Sequence, residues 1–333
     1  MSQNVPITLT VQLLREFHGN TQEQNDITIL YTAIQQACKT VASAIRTAPL
    51  RQLTGLAGST NTMGEEVKKL DLLANDNFVD ALSNCEKVCV MVSEENGEII
   101  PVNEENINGP YVVAFDPLDG SSNIDVAVPV GSIWSIYKRK SDPSTGKQGS
   151  IEDALQSGDS IVAAGYAMYG SCTQIINATP KGVNGYTLDP VSGEFTLTHP
   201  SMKVPKRGSI YSVNEGNASS WNSYTSDYVQ TRKTSSKPYS LRYVGSMVAD
   251  VHRTLLIGGI FMYPADKKNK NGKLRLLYEV NPMSYIMERA GGKSVIGLDK
   301  RALEHVPTQI HERVPIYCGS EEDVDEVLSF MKQ

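Results

Sequence analysis

Asp116 and Asp119 stand three residues apart at the end of the apolar run Tyr111 to Phe115, and Gly120, Ser121 and Ser122 follow at once. Carboxylate oxygens of this kind suit a hard divalent cation. A glycine followed by two hydroxyl residues lets backbone N–H groups come close to an anion. A place where a cation and a phosphate could meet is a catalytic arrangement and not a packing one, although Gly120 to Ser122 also read as a plain turn.

Glu94 and Glu95 follow the apolar run Val88 to Val92 just as Asp116 and Asp119 follow theirs. If the two runs are neighbouring strands, four carboxylates converge at one sheet edge, where their repulsion is tolerable only around a cation such as Mg²⁺. Taken alone, Glu94 and Glu95 also fit a solvated turn. Asp71 borders an apolar helical stripe (Val67, Leu70, Ala74, Phe78), so it should be partly buried; a salt bridge to Lys68 or Lys69 competes with a role at the cation. Asn214, Arg242, Tyr243, Tyr263 and Lys273 offer donors and cations for a second anionic group, and Glu279 adds a carboxylate after an expected strand over 274–278. None of the five histidines has metal-ligand spacing or stands beside a serine and an acid. The dinucleotide fingerprint and the P-loop lysine pattern are missing.

The elements that must position these residues come from periodicity. Apolar positions at steps of three and four predict helices over 26–46, with Asn25 and Asp26 as caps, and over 65–83, with Glu65 and Glu66 at its N-terminus. Continuous apolar runs predict buried strands over 88–92 and 111–115, and shorter ones over 130–137, 161–169, 174–178, 186–189 and 194–198. Beyond Pro200, Pro205 and Gly208 come strands over 208–213, 260–264, 274–278 and 314–318 and helices over 246–256 and 282–290. A last helix opens on Ser320 and Asp323 as a capping box. The break over 199–207 divides the chain into 1–199 and 200–333.

With 333 residues, 40% apolar content and a formal net charge of −6, the chain can bury a sizeable core and has no basic field for nucleic acid or an anionic membrane. The five scattered cysteines read as reduced and mostly buried. With no cationic and apolar leader between Met1 and Arg15, and no long apolar window, the protein is expected to be soluble and intracellular. The final Met331-Lys332-Gln333 is no peroxisomal address, though a trimmed terminus leaves such an organelle open.

The run Asp116 to Ser122, with Glu94 upstream, resembles the signature of the metal-dependent, lithium-sensitive sugar and inositol phosphatases. The segments 68–71, 112–125, 214–216, 242–254, 258–264 and 273–292 resemble the fructose-1,6-bisphosphatase family over nearly the whole chain. That resemblance implies an α/β fold, a layered α-β-α-β-α sandwich, with an N-terminal regulatory half (1–199) and a C-terminal catalytic and substrate half (200–333), assembled as a homotetramer. It implies a cytoplasmic, gluconeogenic hydrolysis of the 1-phosphate of fructose 1,6-bisphosphate; sedoheptulose 1,7-bisphosphate or another sugar or inositol phosphate is the alternative substrate, and a non-catalytic sensor the alternative role. Two to three Mg²⁺ or Mn²⁺ ions would be held by Glu94, Asp116, Asp119, Glu279 and the carbonyl of Leu118. Asp71 and Glu95 would activate water, with Glu65 on the catalytic loop where the family usually has aspartate. Gly120, Ser121 and Ser122 would contact the 1-phosphate and Met247 the sugar. Asn214, Tyr243, Tyr263 and Lys273 would hold the 6-phosphate, joined by Arg242 from a neighbouring subunit; Asn217 replaces a usual tyrosine there. AMP inhibition, in altered form, would use Gln24, Asn25, Asp26 and Ile27 at a helix N-terminus together with Tyr111 and Lys138, with Pro110 in place of a usual lysine.

Overall fold

The computed structural model describes residues 6–60, 66–103 and 107–332. An eight-stranded sheet runs in the order Phe195–His199, Gly182–Leu188, Thr173–Thr179, Ile161–Tyr169, Val130–Lys138, Tyr111–Asp119, Val88–Ser93 and Ile100–Pro101. Its pairs are antiparallel except Val88–Ser93 with Tyr111–Asp119, which lie parallel. A six-stranded sheet follows in the order Ser240–Leu241, Ile210–Ser212, Ile260–Tyr263, Ile316–Gly319, Lys293–Gly297 and Lys300–Arg301. The stretch from Pro200 to Ser209, without helix or strand, joins the two.

Side-chain alternation sorts these elements into five layers. One face of the first sheet, with Val113, Phe115, Trp134 and Ile136, packs on the helices Leu9–Glu16, Thr21–Thr47 and Lys69–Ser83. The opposite face, with Val112, Ala114, Ile133 and Tyr137, meets the helices Met247–Ile257 and Asn281–Arg289, which also bury Phe261, Ile296 and Cys318 of the second sheet. The far face of that sheet (Tyr211, Ile260, Met262, Tyr317) is covered by Ser223–Thr234 and Glu321–Met331. The result is the expected α-β-α-β-α sandwich. All five cysteines are free; Cys38, Cys89 and Cys318 are buried and Cys172 is exposed. Among the described residues no helix is long and apolar enough to cross a membrane.

Several boundaries differ from the sequence expectation. The long helix begins at Thr21, not at 26, because the Asn20 side chain accepts the Glu23 N–H (3.2 Å); Thr21 to Asn25 are all polar, so no apolar period marks that turn. The helix expected from 65 starts at Lys69. Glu66–Lys68 is instead a strand paired antiparallel with Leu56–Thr60, and the Asp71 carboxylate accepts the Lys68 N–H at 2.7 Å to begin the helix. The strand expected over 274–278 stops at Arg275, and Leu276–Val280 forms a π-helical turn. There the Leu276 N–H donates to the Glu312 carbonyl (2.8 Å) and the Ser135 hydroxyl to the Leu277 carbonyl (2.9 Å). Ser320 and Asp323 form no capping box: the Ser320 hydroxyl accepts the Gly259 N–H, while Asp323 accepts the Gly208 N–H and the Tyr239 hydroxyl. The helices Leu9–Glu16 and Ser223–Thr234 went unexpected, the first because its Leu9–Leu13 stripe lasts only eight residues, the second because Tyr228 and Val229 are the apolar side chains it buries and they set no period.

Candidate active site

Parallel pairing sets Ser93 opposite Phe115, so Glu94 and Glu95 leave their strand beside Asp116; the Glu94 N–H donates to the Phe115 carbonyl at 3.2 Å. The strand Tyr111–Asp119 continues through Pro117, and its register slips against Val130–Lys138 between Asp116, opposite Ile133, and Asp119, opposite Gly131. This bulge turns both acids toward one cavity. The Asp116 carboxylate accepts the Leu118 N–H (2.9 Å). That of Asp119 accepts the Ser246 hydroxyl (3.1 Å) and the Val248 N–H (3.0 Å) at the start of Met247–Ile257, where a helix favours negative charge. Gly120 follows at φ +74°, where an added Cβ would lie 2.9 Å from that of Ser246, so glycine alone permits the turn into Ser121–Val126. Glu279 arrives on the π-helical turn, fixed by the Arg275 N–H at 2.5 Å.

Asp116, Asp119 and Glu279 are buried, and one carboxylate oxygen of each lies within 4.8 Å of the others. Burial, then the charges of Glu94, Asp119 and Glu279, pushes the Asp116 carboxyl well up. Burial likewise pushes Asp119 up to about 6, against the Val248 N–H and the Ser246 hydroxyl, and Glu279 up to about 8, against the Arg275 guanidinium. Hard oxygens crowded so that they hold protons near neutrality fit a divalent cation, which would take the protons' place.

The cavity, about 270 Å³, is lined by Glu94, Glu95, Asp116, Leu118, Asp119 and Glu279 together with Asp71, Gly120, Ser121, Ser122, Tyr243, Met247, Tyr263 and Lys273. Asp71 makes neither salt bridge considered for it: Lys68 Nζ reaches Asp125 (2.6 Å) and Lys69 Nζ the Gln52 carbonyl (3.2 Å). Burial raises the Asp71 carboxyl to about 6, against the Lys68 N–H and the Ser121 hydroxyl. Asn75 of Lys69–Ser83 braces the Glu94–Asn96 loop, bonding the Ser93 hydroxyl (2.6 Å) and Asn96 (3.0 Å). Burial also raises both tyrosines, Tyr243 to about 12, so they stay hydrogen-bond donors. Three residues considered for the second phosphate stand apart. Asn214 and Asn217 line a small adjoining cleft that shares Tyr263, the Asn214 side chain accepting the Gly216 N–H, and Arg242 is exposed with its guanidinium on the Leu241 carbonyl. Glu65 lies outside the described residues; its neighbour Glu66 lines the cavity.

Sequence reasoning missed Arg275 and Asp250. Arg275 is buried, 2.9 Å from Glu94 and 3.8 Å from Glu279. Its signal was a cation inside the apolar run Leu274 to Tyr278. Asp250, on the buried face of Met247–Ile257, accepts the Val244 and Gly245 N–H groups (3.0 and 3.1 Å) and the Arg253 guanidinium (2.6 Å). It thereby shapes the segment that presents Tyr243 and Met247.

Family models for "Fructose-1-6-bisphosphatase, N-terminal domain" and "Fructose-1-6-bisphosphatase, C-terminal domain" match residues 7–200 and 204–332. The chain belongs to the fructose-1,6-bisphosphatase family. It is 55% identical to the cytosolic fructose-1,6-bisphosphatase of Oryza sativa subsp. indica and 53% to that of Solanum tuberosum, in each case over 96% of this chain and 94% of the relative. A crystal structure of Leishmania major fructose-1,6-bisphosphatase in holo form superposes with a TM-score of 0.93 at 43% identity, covering 99% of this chain and 100% of that one. The apo form of the same enzyme gives 0.88 at 42% identity, with the same coverage.

The residues that resemblance to fructose-1,6-bisphosphatases assigns to AMP also gather, but differently from expectation. Because the helix begins at Thr21, the Gln24 N–H is already bonded to the Asn20 carbonyl (2.8 Å), and Asp26 and Ile27 are buried. The N–H groups of Gln24 to Ile27 are therefore not free, and those of the first turn are the ones left. Tyr111 pairs across the sheet with Lys138, whose ammonium sits 2.9 Å from Glu23, while Lys87 lies 3.1 Å from Asp26.

Proposed function

We propose that the chain hydrolyses fructose 1,6-bisphosphate at its 1-phosphate, in the cytoplasm, as the names of its relatives indicate. One observation carries this reading: three buried carboxylate oxygens within 4.8 Å adjoin the Gly120–Ser122 turn at one end of a cavity whose other residues include Tyr243, Tyr263 and Lys273. A substrate with two phosphates fits such a cavity, and an inositol monophosphate would leave Lys273 without a partner.

Asp116, Asp119 and Glu279, with Glu94 and the Leu118 carbonyl, would hold Mg²⁺ or Mn²⁺, two or three ions in all. Bound there, such ions would lower the pKa of water and offset phosphoryl charge. The protein's own residues do the rest. Gly120 to Ser122 present backbone N–H and hydroxyl donors to the 1-phosphate. Asp71, raised to about 6 by burial, takes a proton from the attacking water near neutral pH, with Glu95 orienting it. Met247 packs on the sugar, and Tyr243, Tyr263 and Lys273 clamp the 6-phosphate, with Asn214 in the adjoining cleft. Such positioning contributes several kcal/mol to lowering the barrier. Arg242, exposed and bonded to a carbonyl, is available to a neighbouring subunit of a homotetramer. The 1–199 half also carries the AMP region; there AMP inhibition is weak, since its phosphate competes with Glu23 for Lys138.

Phosphate release from fructose 1,6-bisphosphate, sedoheptulose 1,7-bisphosphate and inositol 1-phosphate tests the reading. Release should be fastest with the first, abolished by EDTA and restored by Mg²⁺. Equal turnover of the inositol ester, or release unaffected by EDTA, rejects it.

A further inference from the structure

A groove of about 1390 Å³ lies outside the acidic cavity, between the 265–272 loop and the 299–315 segment. Lys268, Lys270, Lys300, Arg301 and Arg313 line it, against Asp299, Glu304 and Glu312. The acids are partly spent within the protein. Glu312 receives the Thr308 N–H (2.6 Å) and hydroxyl (2.7 Å) and the His305 ring (2.5 Å), and Glu304 lies 3.6 Å from Arg301. Lys268, Lys270 and Lys300 form no ion pair among the described residues. A concave surface with three uncommitted ammonium groups attracts a ligand bearing several negative groups.

The loop that offers two of these lysines is built rather than loose. Asp266 accepts the N–H groups of Lys268 (2.8 Å) and Asn269 (2.6 Å). Gly272, at φ +80°, sits so close to the Val314–Pro315 backbone that a Cβ would lie 2.2 Å from it. The next residues are Lys273, which faces the acidic cavity, and Leu274–Arg275, which pair with Arg313–Val314. On the other wall, His311 bonds the Tyr278 hydroxyl (2.7 Å) and the Asn96 carbonyl (2.9 Å), beside Glu279 and Glu95. One strand pair and one imidazole therefore separate the groove from the acids.

We infer that this groove is a second anion site, taking a small molecule with several separated anionic groups, sulfate, phosphate or carboxylate alike. The inference is independent of the reaction assigned above, because its readout is binding. Inositol hexasulfate and, separately, tricarballylate are titrated calorimetrically into the full chain with Mg²⁺ and saturating fructose 6-phosphate present, and into the variant Lys268→Gln/Lys270→Gln/Lys300→Gln. Saturable binding by the parent that falls about ten-fold in the variant, as expected for losing three exposed charge contacts, supports the site. Whichever probe shows that fall tells which anionic chemistry the groove accepts, and one probe showing it is enough. No saturable binding of either, or equal binding by both proteins, overturns it. Should the variant fail to fold, hydrogen exchange on the parent decides: protection by inositol hexasulfate over 265–275 and 299–315 supports the site, and protection confined to 116–122, or none, overturns it.

Discussion

At the start of the Thr21–Thr47 helix each carboxylate has its own lysine, Glu23 with Lys138 and Asp26 with Lys87, whereas in the cavity Arg275 reaches Glu94 and Glu279 and, among the described residues, Asp116 and Asp119 form no ion pair. The two regions share residue types and differ in balance. A matched pair satisfies itself and asks for no ligand, so a phosphate arriving at the helix must displace an internal acid. An unmatched buried cluster is costly until something positive enters, and its carboxyls show that cost by holding protons. Charge imbalance, more than the number of acids, marks the place where chemistry is to be sought.

The largest effect should come from correcting the imbalance. Asp116→Asn keeps an acceptor for the Leu118 N–H but removes a charge; kcat should fall about 10³-fold, the equivalent of several kcal/mol of lost charge stabilisation. In EDTA the same variant should resist urea better than the parent by about 1 kcal/mol, since it relieves repulsion. A less stable variant would break the comparison. Next comes metal removal. Asp119 at about 6 and Glu279 at about 8 bind protons more tightly folded than unfolded, where carboxyls titrate near 4. Their contribution is therefore present below about pH 4 and lost as pH rises through 6 and 8. Melting temperatures in EDTA should drop from pH 5 to pH 8, and saturating Mg²⁺ should flatten that drop.

At the balanced region the signs reverse. Asp26→Asn leaves Lys87 without its partner and should cost about 1–2 kcal/mol by urea titration while kcat stays put. The smallest effect belongs to Glu23→Gln, which frees Lys138. Stability should stay within about 0.5 kcal/mol. The AMP concentration for half inhibition should fall a few-fold, and a parent untouched by millimolar AMP would remove that site from the protein's repertoire.

Much of the acidic cavity was readable because its signals are local. The apolar runs leading to Glu94 and Asp116 are strands buried along their length, and the pairing on which their convergence was conditional is the parallel one the structure shows. What escaped depends on partners distant in sequence. Leu274 to Tyr278 has the composition of a strand; the bonds from Ser135 and to Glu312 and Glu279 make part of it a π-helical turn. Arg275 was hidden inside that same run. The true start of the long helix lay in five polar residues with no period, where one asparagine cap outweighs pattern. Asp71 beside two lysines invited a local salt bridge, but Asp125, 57 residues from Lys68, claims the nearer ammonium.

The oxygen triangle draws on both sheets' surroundings. Asp116 and Asp119 belong to the eight-stranded sheet, Glu279 to a turn leaning on that sheet through Ser135, and Asp119 is tethered to a helix sandwiched between the two sheets. On the function proposed above, the triangle is a gauge of interlayer docking: turnover should be lost at urea concentrations where helix and strand content remain whole.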